Sequence, residues 1–166
     1  MNGNKCSYCE RLLAEPEQEV DHHVEVAECP ERAFDWSNLY LSCAPCNSQK
    51  APNRQVPVAA CVDPCAPGVQ PDAHLTFDDE RIEARNASTH GRSTIQKYRL
   101  DWQDLDLARS KILNTFAFAL DAIRQRQLVD GGRDLSDEER EILRAFATPA
   151  RPFSLMMKLR LTRLSL

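Results

Sequence analysis

Two Cys-x-x-Cys pairs, Cys6 with Cys9 and Cys43 with Cys46, are separated by 33 residues. Each pair can form a tight turn that presents two sulfurs to one ion, so together they suit a tetrahedral thiolate site of the zinc type better than a disulfide. Four unrelated buried thiols are the alternative, yet cysteine that is merely buried rarely falls into two equally spaced pairs. Such a clamp would draw Asp21, His22 and His23, on one side of a loop, towards Asn47 and Lys50 on the other. Alone, the Asp-His-His triplet would be an ordinary surface or metal-binding patch. Asn47 and the clamp give it a chemical context.

These groups need elements to hold them. Glu19 to Val26 is β-branched enough for a first strand with Asp21 and His22 near its end. Neighbours on a strand point to opposite faces, so His23 is expected to face away from the chemistry, packed or solvated. Asn38 to Ser42 reads as the second strand, and Pro45 to about Pro52 as a helix carrying Asn47, stopped by Pro52. Upstream, Cys6 to Cys9 reads as a knuckle, Glu10 to Leu13 as a short helical or irregular continuation, and Glu15-Pro16-Glu17 as a turn. Phe34 and Trp36, at the end of the loop between the strands, are expected to pack beneath the site.

Cys6-x-x-Cys9, Asp21-His22, Trp36-Ser37-Asn38-Leu39 and Cys43-Ala44-Pro45-Cys46-Asn47-Ser48-Gln49-Lys50 resemble the HNH nucleases, also called His-Me finger or ββα-metal nucleases, over about a third of the chain. The resemblance implies a treble-clef-like ββα module closed by a structural Zn²⁺ on Cys6, Cys9, Cys43 and Cys46. It implies a second, catalytic ion, Mg²⁺ or Mn²⁺, on Asp21 and the side-chain oxygen of Asn47, both hard donors. That ion would neutralise charge on the phosphate and the leaving oxygen. His22 would be the general base, since imidazoles titrate close enough to neutrality to accept a proton from water. Asn38 would hold the loop that positions His22, and Lys50 would meet a phosphate. His23 is the substitute base should His22 not serve. Three and four positions after the catalytic His, where the family usually has Pro and a basic residue, this chain has Glu25 and Val26.

From Ala51 to Asp72 five prolines make an irregular connection. Cys61 and Cys65, with Cys29 or His74, offer a second metal set, and buried or reactive thiols are the default reading. His74 to Ala84 reads as a β-hairpin around an acidic turn. Ser93 to Leu100 leads into a long helix on which Leu105, Leu107, Ile112, Leu113, Phe116, Leu120 and Ile123 recur near helical spacing until Gly131-Gly132. Hairpin, Thr94-Ile95 step and long helix with Arg109 also resemble the region C-terminal to the HNH unit in nuclease subunits of Septu-type anti-phage systems, including retron-linked ones. That implies an ABC/SMC-like ATPase subunit as partner. Ser136 and Glu139 form a capping-box pattern opening a helix to about Phe146. Phe153 to Leu166 is a last helix, apolar on more than one face and interspersed with Lys158, Arg160 and Arg163. Its composition suits a protein groove with an acidic rim, so it is expected to dock the partner.

The chain of 166 residues carries a net charge of −4. Residues 1 to 50 hold four basic and nine acidic side chains, and 136 to 166 hold six basic and four acidic. An acidic core repels DNA, so either bound cations reverse the field locally or another subunit presents the nucleic acid. No apolar run is long enough to cross a membrane. The first residues lack an apolar signal segment, and seven cysteines suit a reducing compartment, so a cytoplasmic protein is expected. The expectation is an α+β protein in three parts: the HNH module at 1–55, a Pro-rich connection and β-hairpin at 56–103, and a helical, partner-docking region at 104–166. Its activity is expected to be hydrolysis of DNA phosphodiesters as a defence effector. The competing readings are a non-catalytic zinc module that binds protein or nucleic acid, and a stand-alone restriction or homing nuclease, which should carry a larger basic recognition region.

Overall fold

The computed structural model describes residues 4–166. Its first unit is built from β1 (Gln18–His22), β2 (Leu39–Cys43) and α1 (Ala44–Ser48). β1 and β2 are antiparallel, with Asp21 opposite Tyr40 and Gln18 opposite Cys43. Pro45 stands in the first turn of α1, where its missing N–H costs nothing. The preceding knuckle is not helical beyond Cys9. Glu10 takes φ 61°, and the chain doubles back so that Lys5 bridges Leu12. Cys6 N–H donates to Arg11 O at 2.9 Å and Ser7 N–H to Leu41 O at 2.8 Å, which fastens the knuckle to β2.

β3 (Leu75–Asp78) and β4 (Arg81–Ala84) form the expected hairpin. What reads as one approach and one long helix is two helices, α2 (Thr89–Tyr98) and α3 (Gln103–Val129). They separate at Arg99, which adopts a left-handed φ of 52°. Gly91 lets α2 lie on the hairpin: a Cβ there would collide with the His74 carbonyl. α3 ends where Gly131 and Gly132 take φ of 79° and 81°. α4 (Asp137–Arg144) opens with the capping box, Ser136 Oγ accepting from Glu139 N–H and Glu139 accepting from Ser136 N–H. α5 (Ser154–Arg163) closes the described chain. A continuous core runs from Cys6, Tyr8 and Tyr40 through Tyr98, Leu105 and Phe116 to Met157 and Leu161.

Two expectations fail on burial. Phe34 and Trp36 are 94% and 87% exposed, not packed beneath the site. Asp35 caps the short turn Trp36–Asn38 through Ser37 N–H at 2.9 Å, and the space below is filled by Tyr8, Tyr40 and Tyr98 instead. The second correction is α5: Phe153, Met156, Met157, Leu159 and Leu161 are all buried within this chain, against β3 and the turn after α4. Its cations bond to the same body, Lys158 to Asp72 at 2.8 Å, Arg160 to Asp79 at 2.9 Å and Arg163 to Phe77 O at 2.7 Å. The acidic rim that its composition suits lies in its own hairpin and connection, so these five buried side chains are not free to dock another protein.

Candidate active site and metal centre

The four cysteines meet as their spacing requires. Cys6, Cys9, Cys43 and Cys46 are buried, with sulfurs all within 4.8 Å of one another. Cys9 Sγ lies 3.8 Å from Cys43 Sγ. A tetrahedron with metal–sulfur bonds of about 2.3 Å has sulfur–sulfur edges of about 3.8 Å, so the donor set fits an ion of zinc size. Hydrogen bonds from Cys43, then Cys46 and Cys9, drive Cys6 below the usual thiol range, while Cys46 is pushed above it chiefly by Cys43, so the four thiols share their protons as one group. Buried Ser42, with Oγ 4.0 Å from Cys6 Sγ, completes its surroundings. Among the described residues no other His, Cys, Asp or Glu set converges in this way. Cys29 donates to Glu31 at 2.8 Å, Cys61 is buried and Cys65 exposed.

Asp21 and His22 sit at the end of β1 and point differently. His22 is half-buried, its Nε2 2.9 Å from Ala33 O. A carbonyl only accepts, so Nε2 carries the hydrogen and Nδ1 keeps the lone pair that can take a proton. Asn38, fully buried, fixes the loop: Oδ1 accepts from Val24 N–H at 2.7 Å, and Nδ2 donates to Val24 O at 3.0 Å and Arg32 O at 3.2 Å. His23 N–H donates to Asn38 O at 2.8 Å, so strand end and loop are tied twice.

Asp21 is buried and well occupied. Tyr8 Oη donates to its Oδ2 at 2.5 Å, and Lys50 Nζ lies 2.7 Å from both carboxylate oxygens and 2.6 Å from His22 O. Asn47 does not bond Asp21; its Nδ2 donates to Glu19 Oε2 at 2.9 Å, which leaves Oδ1 as the atom available to a cation. His23 is buried and stacks on Tyr40, with Nδ1 3.4 Å from Tyr98 Oη and Nε2 3.8 Å from Asp63. Burial lowers its pKa. Tyr40 in turn donates to Asp63 at 2.8 Å. Tyr8, Glu19, Tyr40, Asp63 and Tyr98 thus belong to the site although no motif in the sequence marks them. Tyrosines in a core-like pattern carry no spacing signal of their own.

Residues 6–52 match the HNH endonuclease family model. The HNH match spans both cysteine pairs, β1, β2 and α1, and supports a nuclease, a hydrolase that binds metal. No curated protein and no solved structure gave a match to the chain. Glu25, which departs from the family pattern, has a local role in this segment. It accepts from Asn53 N–H at 2.9 Å and lies 3.7 Å from fully buried Lys97, whose Nζ also donates to Ala51 O and Val56 O at 2.8 and 2.9 Å. The position staples the segment after α1 to α2.

Proposed function

We propose that the protein is a metal-dependent HNH endonuclease that hydrolyses DNA phosphodiester bonds in the cytoplasm. Structural zinc sits on Cys6, Cys9, Cys43 and Cys46. The observation that carries the reading is His22, held with Nδ1 as its free base at the end of β1 beside Asp21, inside a segment that matches the HNH family. In the hydrolytic step His22 Nδ1 takes a proton from the attacking water. Asn38 keeps the loop, and with it the His22 ring, in register. Asp21 and Asn47 Oδ1 supply oxygen donors for a Mg²⁺ or Mn²⁺ ion, which when bound offsets negative charge on the phosphate and leaving oxygen. Glu19 orients the Asn47 amide for that role.

The setting we infer is anti-phage defence, with an ABC/SMC-like ATPase subunit presenting DNA to an acidic module. Support comes from the Septu-like sequence order after the HNH unit. Within it Arg109 is a keystone, donating to Leu100 O at 2.8 Å and Asp106 at 3.0 Å beneath the rings of Phe77 and Phe153. With most of α5 buried, α3 offers apolar surface to a partner through exposed Leu107, Phe118, Leu128 and Val129, and the loop before β2 offers Phe34 and Trp36.

A second reading, a non-catalytic zinc module, is favoured by one observation: Asp21 is sealed by Tyr8 and Lys50. Plasmid incubated with the protein and Mg²⁺ or Mn²⁺ separates the two. Cleavage by the wild type and none by His22→Ala supports the nuclease, whereas folded, zinc-loaded wild type that leaves DNA intact supports the binding module. Co-purification with the ATPase subunit tests the setting.

A further inference from the structure

We propose that Lys50 is an internal competitor for the catalytic cation, its ammonium occupying a seat made by the Asp21 carboxylate and the His22 backbone carbonyl. The inference rests on the nuclease reading of this site. The seat is defined by three oxygens at 2.7, 2.7 and 2.6 Å from Lys50 Nζ, a hard-donor cage of the type that holds a divalent ion. His22 contributes to it through its carbonyl, independently of its imidazole. The carbonyl is a donor that sequence spacing does not reveal, additional to Asn47 Oδ1, which the Asn47 Nδ2 bond to Glu19 leaves open.

The arrangement allows one cation at a time. Side chains of Asp21 and Lys50 are each 6% exposed, so their attraction is screened far less than a surface pair. A second positive ion against the same carboxylate would repel the ammonium at short range. The carboxylate cannot turn away, because Tyr8 Oη holds Oδ2 at 2.5 Å, and Tyr8 is itself clamped face to face on Tyr98 with centroids 4.0 Å apart. The backbone beside Lys50 is also pinned, Ala51 N–H donating to Lys97 O at 2.8 Å. Motion therefore falls to the lysine side chain, a flexible four-carbon stem. An ammonium expelled from the cage has lost its anion, and a substrate phosphate is the anion that replaces it. Ion and nucleic acid should thus bind cooperatively, each favouring the state with Lys50 swung out.

The test is Mn²⁺ affinity measured calorimetrically on the full, zinc-loaded chain. If Lys50 fills the seat more than about nine-tenths of the time, Lys50→Gln should bind Mn²⁺ roughly tenfold or more tightly than wild type. Asp21→Asn added to Lys50→Gln should remove the gain. Equal or weaker Mn²⁺ binding by folded Lys50→Gln overturns the proposal. A measurement on the wild type needs no variant: amine acylation of Lys50, read by peptide mass spectrometry, should rise when Mn²⁺ is added. Labelling that stays unchanged at saturating Mn²⁺ also overturns it. Loss of the nuclease reading looks different, as absent cleavage with the metal-dependent Lys50 exposure intact.

Discussion

At the scale of single residues, His22 and Asn38 share one loop but carry different burdens. His22 is half-exposed and makes one ring contact, to Ala33 O, so its loss removes little that holds the fold. His22→Ala is expected to lower DNA cleavage by about 10²–10⁴-fold, the usual worth of a general base, with melting temperature and zinc content unchanged. Nicking kinetics beside a circular dichroism melt check this; wild-type rates would remove His22 from the mechanism and make His23 the next residue to test. Asn38 is buried, and three backbone groups depend on its amide. Asn38→Ala strands those groups and is expected to destabilise by on the order of 2–3 kcal/mol, lowering activity through the fold. Urea denaturation measures it, and a stable Asn38→Ala protein with low activity would reassign the residue to the chemistry.

At the scale of elements, α4 shows how a charge is used to start a helix. Arg133 bonds both Glu139 oxygens, at 2.7 and 2.9 Å, while Glu139 also accepts from Ser136 N–H at 3.0 Å. The Arg133 hydrogen bonds hold the Glu139 carboxyl down at about 2, against an ordinary 4.5. Because the folded value lies below the unfolded one, this stabilisation is complete above the ordinary carboxylate range and drains away as acid is added towards the folded value. Thermal melts taken from neutral pH into that acid window should show a steeper loss for wild type than for Glu139→Gln. Parallel curves would mean that the capping box does not couple to stability. α2 is held by different means. Lys97 sits beneath the segment after α1 with two carbonyls and Glu25, and burial lowers its pKa.

At the scale of the molecule, two devices hold distant parts of the chain together. The first is the four-cysteine cluster, read as a zinc clamp. Structural zinc sites supply apparent binding energies of about 10–16 kcal/mol at neutral pH, comparable with the whole stability of a domain. Stripping the ion with a chelator, or replacing Cys43 and Cys46 by Ser, is expected to unfold residues 6–52, seen as loss of the near-ultraviolet tyrosine signal. The second is α5. Glu10, held in its turn by the knuckle, bonds Ser154 Oγ at 2.6 Å and Leu155 N–H at 2.9 Å, so the first turn of the last helix is capped by the first cysteine loop. Five large apolar residues of this segment are buried, each worth about 1.5–3 kcal/mol. Deleting 153–166 is therefore expected to unfold the protein. A deleted chain that stays folded and zinc-loaded would show that α5 is an accessory after all.

The sequence by itself determined the elements whose cause is local or exact in spacing. The paired cysteines, the capping box at Ser136 and Glu139, the double glycine after α3 and the hairpin were legible because each depends on a few neighbouring residues or on a fixed interval. The pattern over residues 6–52 that matches the HNH family model was legible for the same reason. Tertiary structure decided where side chains face and what they meet. Phe34 and Trp36 look like core by composition but lie on a turn that throws them outward. α5 looks like a docking helix, yet its extra apolar faces are used because the hairpin and the turn after α4 both cover it. Most of all, the contacts of Asp21 with Tyr8 and Lys50, and of His23 with Tyr40, Tyr98 and Asp63, join residues far apart in the chain. No interval in a sequence encodes such pairings, because they arise from how separately formed elements close over one another to satisfy buried charge.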